Sequence, residues 1–237
     1  MRRDGARDPE PMTLDLLETD HAVTLNPSAA ASATVIWLHG LGADGYDFVP
    51  IVTELRLPVS LAIRFVFPHA SVRPVTINGG YEMRAWYDIK ALTATGRDNA
   101  EGLEASVERI ASLVEREQAL GVAASRIVLA GFSQGGAVAL HAALAAPARL
   151  AGVVALSTYL PRAESVLRTR SAANRGLPIL MCHGTNDPVV DISMGIAARD
   201  ALTAAGDAVE WHAYPMQHEV SAREIAEISR WLVSRLG

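Results

Sequence analysis

Six short apolar runs, set apart by longer stretches of mixed character, constrain this chain more than any other feature. They are Thr34-Val-Ile-Trp-Leu38, Arg64-Phe-Val-Phe67, Arg126-Ile-Val-Leu-Ala130, Gly152-Val-Val-Ala-Leu156, Pro178-Ile-Leu-Met181 and the alternating stretch Val209 to Tyr214 around Trp211. The first five are too continuous to leave one face in water, so they read as strands covered on both sides. Between them, Asn99 to Leu120 puts Leu103, Val107, Ile110, Leu113 and Val114 at helical spacing and runs into Gly121, the residue type that ends helices in a left-handed turn. Gln134 to Ala146 reads as a second helix stopped by Pro147, and Ser221 to Leu236 as a third with Ile225, Ile228, Trp231 and Leu232 on one face. Strand, helix, strand in repetition predicts an α/β protein with a mostly parallel central sheet flanked by helices.

The 237 residues, half of them hydrophobic and a fifth charged, are enough for one core and predict a single domain over 15–237. Residues 1–14 read as a flexible tail: Arg2, Arg3 and Arg7 are basic, but Pro9 and acidic residues stand where a secretory signal needs a continuous apolar run. No stretch reaches the roughly 18 apolar residues of a membrane span, so stable membrane insertion is not expected. A net charge of -5, with no run of Lys or Arg, removes nucleic acid from the expected partners. The single cysteine, Cys182, rules out an internal disulfide, and the cytoplasm is the expected compartment. A homodimer remains open. One segment breaks the alternation: 71–97 has turn signals at Asn78-Gly79-Gly80 and no helical period, and a long excursion of this kind in a compact domain points to function.

The strongest local signal is Gly131-Phe-Ser133-Gln-Gly135, lying directly between a predicted strand and a predicted helix. A serine held in so tight a strand-to-helix turn requires very small residues two before and two after it, and Gly136 allows still closer approach. Such a serine becomes a nucleophile when a base takes its proton and a carboxylate fixes the base. Where a serine of this kind comes first in the chain, the acid and then the histidine follow. Downstream, His183-Gly-Thr-Asn-Asp187 and Tyr214-Pro-Met-Gln-His218 each follow a predicted strand, at the sheet end where catalytic groups of open α/β sheets gather. Asp187 and His218 are therefore the expected partners of Ser133.

Other candidates compete. Asp191 is the alternative acid, although its position suits a helix cap. His183 is the rival base, but it precedes the acid and reads better as a structural residue of the turn carrying Asp187. His21, His69, His141 and His212 have no suitable place after a strand in this reading. Spacings such as H-E-x-x-H are missing, so neither metal nor cofactor is expected. Cys182, at a strand end, reads as a small buried hydrophobe.

An oxyanion formed at Ser133 needs backbone N–H donors, one after the nucleophile and one from an early loop. Gln134 supplies the first and Leu41, in Leu38-His-Gly-Leu-Gly-Ala-Asp-Gly45, the second. That loop lacks both the Lys-Ser/Thr ending of a phosphate-binding loop and the G-x-G-x-x-G spacing, which argues against a nucleotide.

With these residues placed, the chain from about Thr34 to Leu236 resembles the phospholipase/carboxylesterase family of α/β-hydrolases, which includes bacterial carboxylesterases and acyl-protein thioesterases. The motifs carrying the resemblance are Leu38-His-Gly-Leu-Gly-Ala-Asp44, Arg73-Pro-Val-Thr-Ile-Asn78, Trp86-Tyr-Asp-Ile89, Gly131-Phe-Ser-Gln-Gly-Gly-Ala137, Leu156-Ser-Thr-Tyr-Leu-Pro161, His183-Gly-Thr-Asn-Asp187 and His218-Glu-Val220. The resemblance implies an α/β-hydrolase fold and hydrolysis of carboxylic esters with small to medium acyl chains. Acyl-protein thioester or lysophospholipid hydrolysis is the alternative, and a silent binder of apolar ligands the non-enzymatic one. It also implies that Met83, Trp86, Tyr159 and Leu160 line the acyl site, against the plainer reading of Trp86 and Leu160 as core. The family usually has Gly before the histidine, where this chain has Gln217, so that turn is expected to be reshaped or the site narrowed.

Overall fold

The computed structural model describes residues 14–90 and 100–237. In chain order the regular elements are β1 (Leu14–Thr19), β2 (Ala22–Pro27), β3 (Ala33–Leu38), α1 (Ile51–Glu54), β4 (Ile63–Pro68), β5 (Val72–Val75), β6 (Tyr81–Arg84), α2 (Ala100–Ala119), β7 (Ile127–Phe132), α3 (Gln134–Ala145), β8 (Gly152–Leu156), α4 (Ala163–Thr169), β9 (Pro178–Gly184), α5 (Ile192–Ala204), β10 (Ala208–Tyr214) and α6 (Ala222–Leu236). Eight strands form one sheet in the order β1-β2-β4-β3-β7-β8-β9-β10. Every neighbouring pair from β4 to β10 is parallel, while β2 runs antiparallel to both β1 and β4.

The apolar runs are continuous because the sheet buries both faces. Ile36, Leu38, Leu129, Val153 and Met181 pack on one side with Leu103 and Ile110 of α2, Val138 of α3 and Leu202 of α5. Val35, Trp37, Val128, Val154 and Leu180 pack on the other with Ile51 of α1, Leu55 just after it, and Ile228, Trp231 and Leu232 of α6. Successive strand residues thus enter opposite cores, and each large apolar side chain so buried contributes about 1.5–3 kcal/mol. Among the described residues no helix is long and apolar enough to cross a membrane.

All six predicted strands and the three predicted helices form, with ends displaced by a few residues; Asn99 and residues 91–97 of the excursion lie outside the described residues. Other features differ, among them β2 and the short α1, which were not expected. Strand β1 opens at Leu14, inside the segment read as tail, where Leu14 pairs with Pro27. The excursion contains a second, two-stranded sheet, β5 against β6, turning through Gly79 and Gly80 at positive φ. Helices α4 and α5 were not predicted, because α4 is short and α5 is rich in small residues with little apolar stripe.

Helix α6 begins with a capping box: Ser221 accepts the Glu224 N–H while Glu224 accepts the Ser221 N–H. Glu224 is fully buried, its Oε1 has no hydrogen-bond partner among the described residues, and burial pushes its carboxyl up to about 8 against the opposing bond from Ser221. A carboxyl whose folded value is raised favours the native state fully below its ordinary range near 4.5 and loses that contribution as pH rises through about 8. Glu224→Gln keeps the acceptor and cannot ionise. Urea unfolding is expected to give matching stabilities near pH 5 and a variant more stable by roughly 2–4 kcal/mol near pH 8.5; parallel curves for the two proteins would contradict a buried, neutral Glu224.

Candidate active site

Ser133 sits between β7 and α3 at φ 53°, ψ -120°, a backbone region few residues other than glycine occupy. Such a conformation costs about 1–3 kcal/mol and persists only where neighbours enforce it. The Ser133 N–H donates to Leu156 O at 2.9 Å, and Ser133 O accepts from Thr158 Oγ1 at 2.6 Å and from the Gly136 and Ala137 amides. The surrounding glycines are a packing requirement. A Cβ on Gly131 would lie 2.4 Å from the Gly135 backbone, one on Gly135 would lie 2.5 Å from the carbonyl oxygens of Leu38 and His39, and one on Gly136 would lie 2.8 Å from the Thr158 side chain.

The two downstream loops meet as the chain order requires. His218 Nδ1 lies 2.7 Å from Asp187 Oδ2, and Asp187 Oδ1 accepts the Val189 and Val190 amides at 2.8 Å. With Nδ1 donating to a carboxylate, Nε2 is left as the basic nitrogen of the His218 ring. That ring is tilted on Phe132, the residue before Ser133, with centroids 4.6 Å apart. No hydrogen bond joins Ser133 and His218 among the described residues; such contacts commonly tighten when substrate binds. Gly184 lets the loops cross, since a Cβ there would lie 2.3 Å from Gln217 O and 2.5 Å from Met216 O.

The rival candidates are occupied elsewhere. His183 Nε2 donates to Val190 O at 2.8 Å, so it holds the Asp187 turn, and burial lowers its pKa. Asp191 caps α5 by accepting the Ser193 amide. Cys182 is buried, which pushes its thiol above the ordinary range. Glu210, His212 and Glu227 converge between β10 and α6, where Arg230 pairs with both carboxylates. Gln217 corrects an expectation: it is exposed and has no positive φ, so this turn does not need glycine and accepts a side chain without strain.

The early loop passes over Ser133, since a Cβ on Gly40 would lie 3.6 Å from Ser133 Cβ. Leu41 is therefore carried beside Ser133, and Gln134 begins α3, where the helix N-terminus presents free amides and a positive dipole end. Among the described residues neither the Leu41 nor the Gln134 amide donates to another backbone carbonyl.

The Gln134 side chain has a role that the sequence did not announce. Its Oε1 accepts the Trp86 amide at 2.8 Å and its Nε2 donates to Tyr87 O at 2.7 Å, clipping the excursion to α3. Trp86 Nε1 donates to His39 O at 2.9 Å, and Trp86 is only 1% exposed, so in this conformation it braces the early loop from within the core. Tyr159 and Leu160 are likewise buried, Tyr159 with its hydroxyl 2.8 Å from that of Tyr87. Met83 is half-buried and borders the loop, its Sδ 3.6 Å from where a Gly42 Cβ would stand. His69 corrects a further expectation: it stands immediately after β4, at the sheet end that carries the site.

Gly135→Ala tests the elbow. Its methyl group would strike backbone on β3 that no rotamer change relieves, so stability is expected to fall by about 3 kcal/mol or more. Chemical unfolding checks this, and a variant as stable as the wild type would contradict the packing described.

A family model described as Phospholipase/Carboxylesterase matches residues 19–235. Acyl-protein thioesterase 1 of Yarrowia lipolytica is 38% identical over 216 residues, covering 89% of this chain and 95% of that protein. Acyl-protein thioesterase 1 of Neurospora crassa is 37% identical over 217 residues, covering 88% and 89%. The crystal structure of Zea mays acyl-protein thioesterase 2 matches with a TM-score of 0.82 at 31% identity, covering 91% of this chain and 99% of that one. With the mostly parallel sheet and the strand-to-helix turn already described, these matches show that the chain is a hydrolase of the phospholipase/carboxylesterase family, with the α/β-hydrolase fold.

Proposed function

We propose that this chain is a serine hydrolase that transfers acyl groups from thioesters and oxygen esters to water, with acyl thioesters as its preferred substrates. Ser133 Oγ attacks the acyl carbonyl while His218 Nε2 takes its proton, and Asp187 holds the imidazolium that forms. The Leu41 and Gln134 amides stabilise the oxyanion. His218 then protonates the departing thiol or alcohol, and water repeats the sequence on the acyl-enzyme. The observation that carries this reading is the 2.7 Å contact of His218 with an Asp187 whose other oxygen is held by two amides, beside a serine locked in a strained turn.

The substrate class rests on the relatives. Proteins 37–38% identical along most of the chain are named acyl-protein thioesterase, which favours the thioester over the small oxygen ester that the motifs alone put first. Of the four residues expected to line the acyl site, Met83 keeps substantial surface, while Trp86, Tyr159 and Leu160 are nearly enclosed. Met83 is thus the first contact for the acyl chain, and a longer chain needs the neighbouring excursion to move.

Ser133→Ala is expected to fold normally and lose about ten-thousandfold or more in kcat/KM. Fluorophosphonate is expected to label the wild type at Ser133 alone. Across a C2–C16 series, the thioester is expected to exceed the matched oxygen ester in kcat/KM. Turnover by Ser133→Ala would overturn the mechanism; failure to label would favour a silent binder; faster oxygen-ester cleavage would return the carboxylesterase reading.

A further inference from the structure

The loop that carries Leu41 is latched at both ends by imidazole rings. At its start, His39 Nε2 accepts the Ala70 amide at 2.9 Å, so Nδ1 carries the proton and donates to Gly40 O at 2.7 Å. At its end, His69 Nδ1 accepts the Gly45 amide at 3.0 Å, so His69 is the opposite tautomer, protonated on Nε2. His69 and Ala70 are adjacent, so one short segment after β4 receives the loop twice. The fit around His69 is close: a Cβ on Gly45 would lie 3.1 Å from the ring and 2.4 Å from Phe67 O. The His69 amide in turn donates to His21 O at 2.9 Å, anchoring the latch to the β1–β2 hairpin.

Both contacts demand a neutral ring. A proton on His69 Nδ1 would set donor against donor with Gly45, and the bond would be lost. We propose that His69 is a positioning residue: its neutral imidazole, by accepting the Gly45 amide, holds Leu41 over Ser133, and its protonation unlatches the loop, giving an acid inactivation separate from protonation of His218. This rests on the reading of Leu41 as an oxyanion donor given above.

The groups around the ring set where the latch opens. Burial lowers the His69 pKa, as do Arg84 of β6 and Arg109 of α2, while Asp44 of the loop and Glu18 of β1 raise it. Asp20 lines the shallow surface depression beside His69 together with Glu18 and Arg84, and the Tyr46 ring lies 6.3 Å from the imidazole. His39 is more enclosed, and burial holds it down to about 4, against its bond to Gly40 and Asp44 and with His69 and Arg84. Because both folded values are lowered, the latches are intact above the ordinary histidine range near 6.5 and are lost as pH falls through the folded values, His69 before His39.

The test is the pH profile of p-nitrophenyl butyrate hydrolysis from pH 4.5 to 8.5 in wild type, His69→Ala, His69→Asn and Ser133→Ala. His69→Ala is expected to lose about 10- to 100-fold in kcat with KM changed less than about twofold. His69→Asn offers Oδ1 in place of Nδ1 and does not titrate; it is expected to keep kcat within about threefold at pH 8 and to have a shallower acid limb than wild type. On wild-type protein, long-range 1H–15N spectra are expected to find His69 Nδ1 unprotonated at pH 7.5, with the Gly45 amide shifting on the same titration. Wild-type kcat and acid limb in His69→Ala, with Ser133→Ala inactive, would overturn the latch and leave the proposed function standing. A protonated Nδ1 would overturn it even if neither His69 variant folded. An active Ser133→Ala would instead sink the functional reading itself.

Discussion

Everything in this site depends on the close approach of two backbones at the start of α3. The helix begins against the ends of β3 and β7, near enough that a single methyl group on Gly135 would lie 2.5 Å from two carbonyl oxygens of β3 and its loop. Only because the chain is bare there can Ser133 take its strained conformation with its amide and carbonyl both satisfied. The same approach brings the helix N-terminus and the early loop to one side of the serine. The proposed nucleophile and the proposed oxyanion donors are therefore products of one packing event.

Around that turn, buried polar groups are arranged with their partners fixed. His39, His69 and His183 each contact backbone through a defined nitrogen, and burial lowers the pKa of all three, so they act as neutral connectors. His218 differs in having a fully buried carboxylate on Nδ1 and partial access to solvent. Four histidines stand near one site, and geometry divides them into three whose rings bond to backbone and one, His218, whose ring meets the Asp187 carboxylate.

Much of this could be read from residue order. The six strands were legible because a sheet buried on both faces needs apolar runs without interruption, and α2, α3 and α6 because their buried residues recur at helical spacing. Ser133, Asp187 and His218 were legible because the turn needs glycines at fixed offsets and because the partners follow strands in a set order. Strands β1, β5 and β6 were not: they lie at the edge of the main sheet or outside it, and their exposed positions break the apolar runs; in β2 the polar Thr24 and Asn26 break the run instead. Gln134 illustrates another limit, since its amide could be assigned from position, whereas its side-chain grip on Trp86 and Tyr87 joins residues 47 and 48 positions apart.

The sequence by itself determined the α/β class, the strand-to-helix turn at Ser133 and the chain order of Asp187 and His218 on which the proposed triad rests, because each leaves a local imprint in periodicity or in obligatory small residues. Only the tertiary structure decided what the other histidines do, that the turn at Gln217 needs no positive φ, and that Trp86 is a brace. Those outcomes are set by which carbonyl or amide lies within 3 Å in the folded chain. Hydrogen-bond partners distant in sequence leave no periodic trace along it.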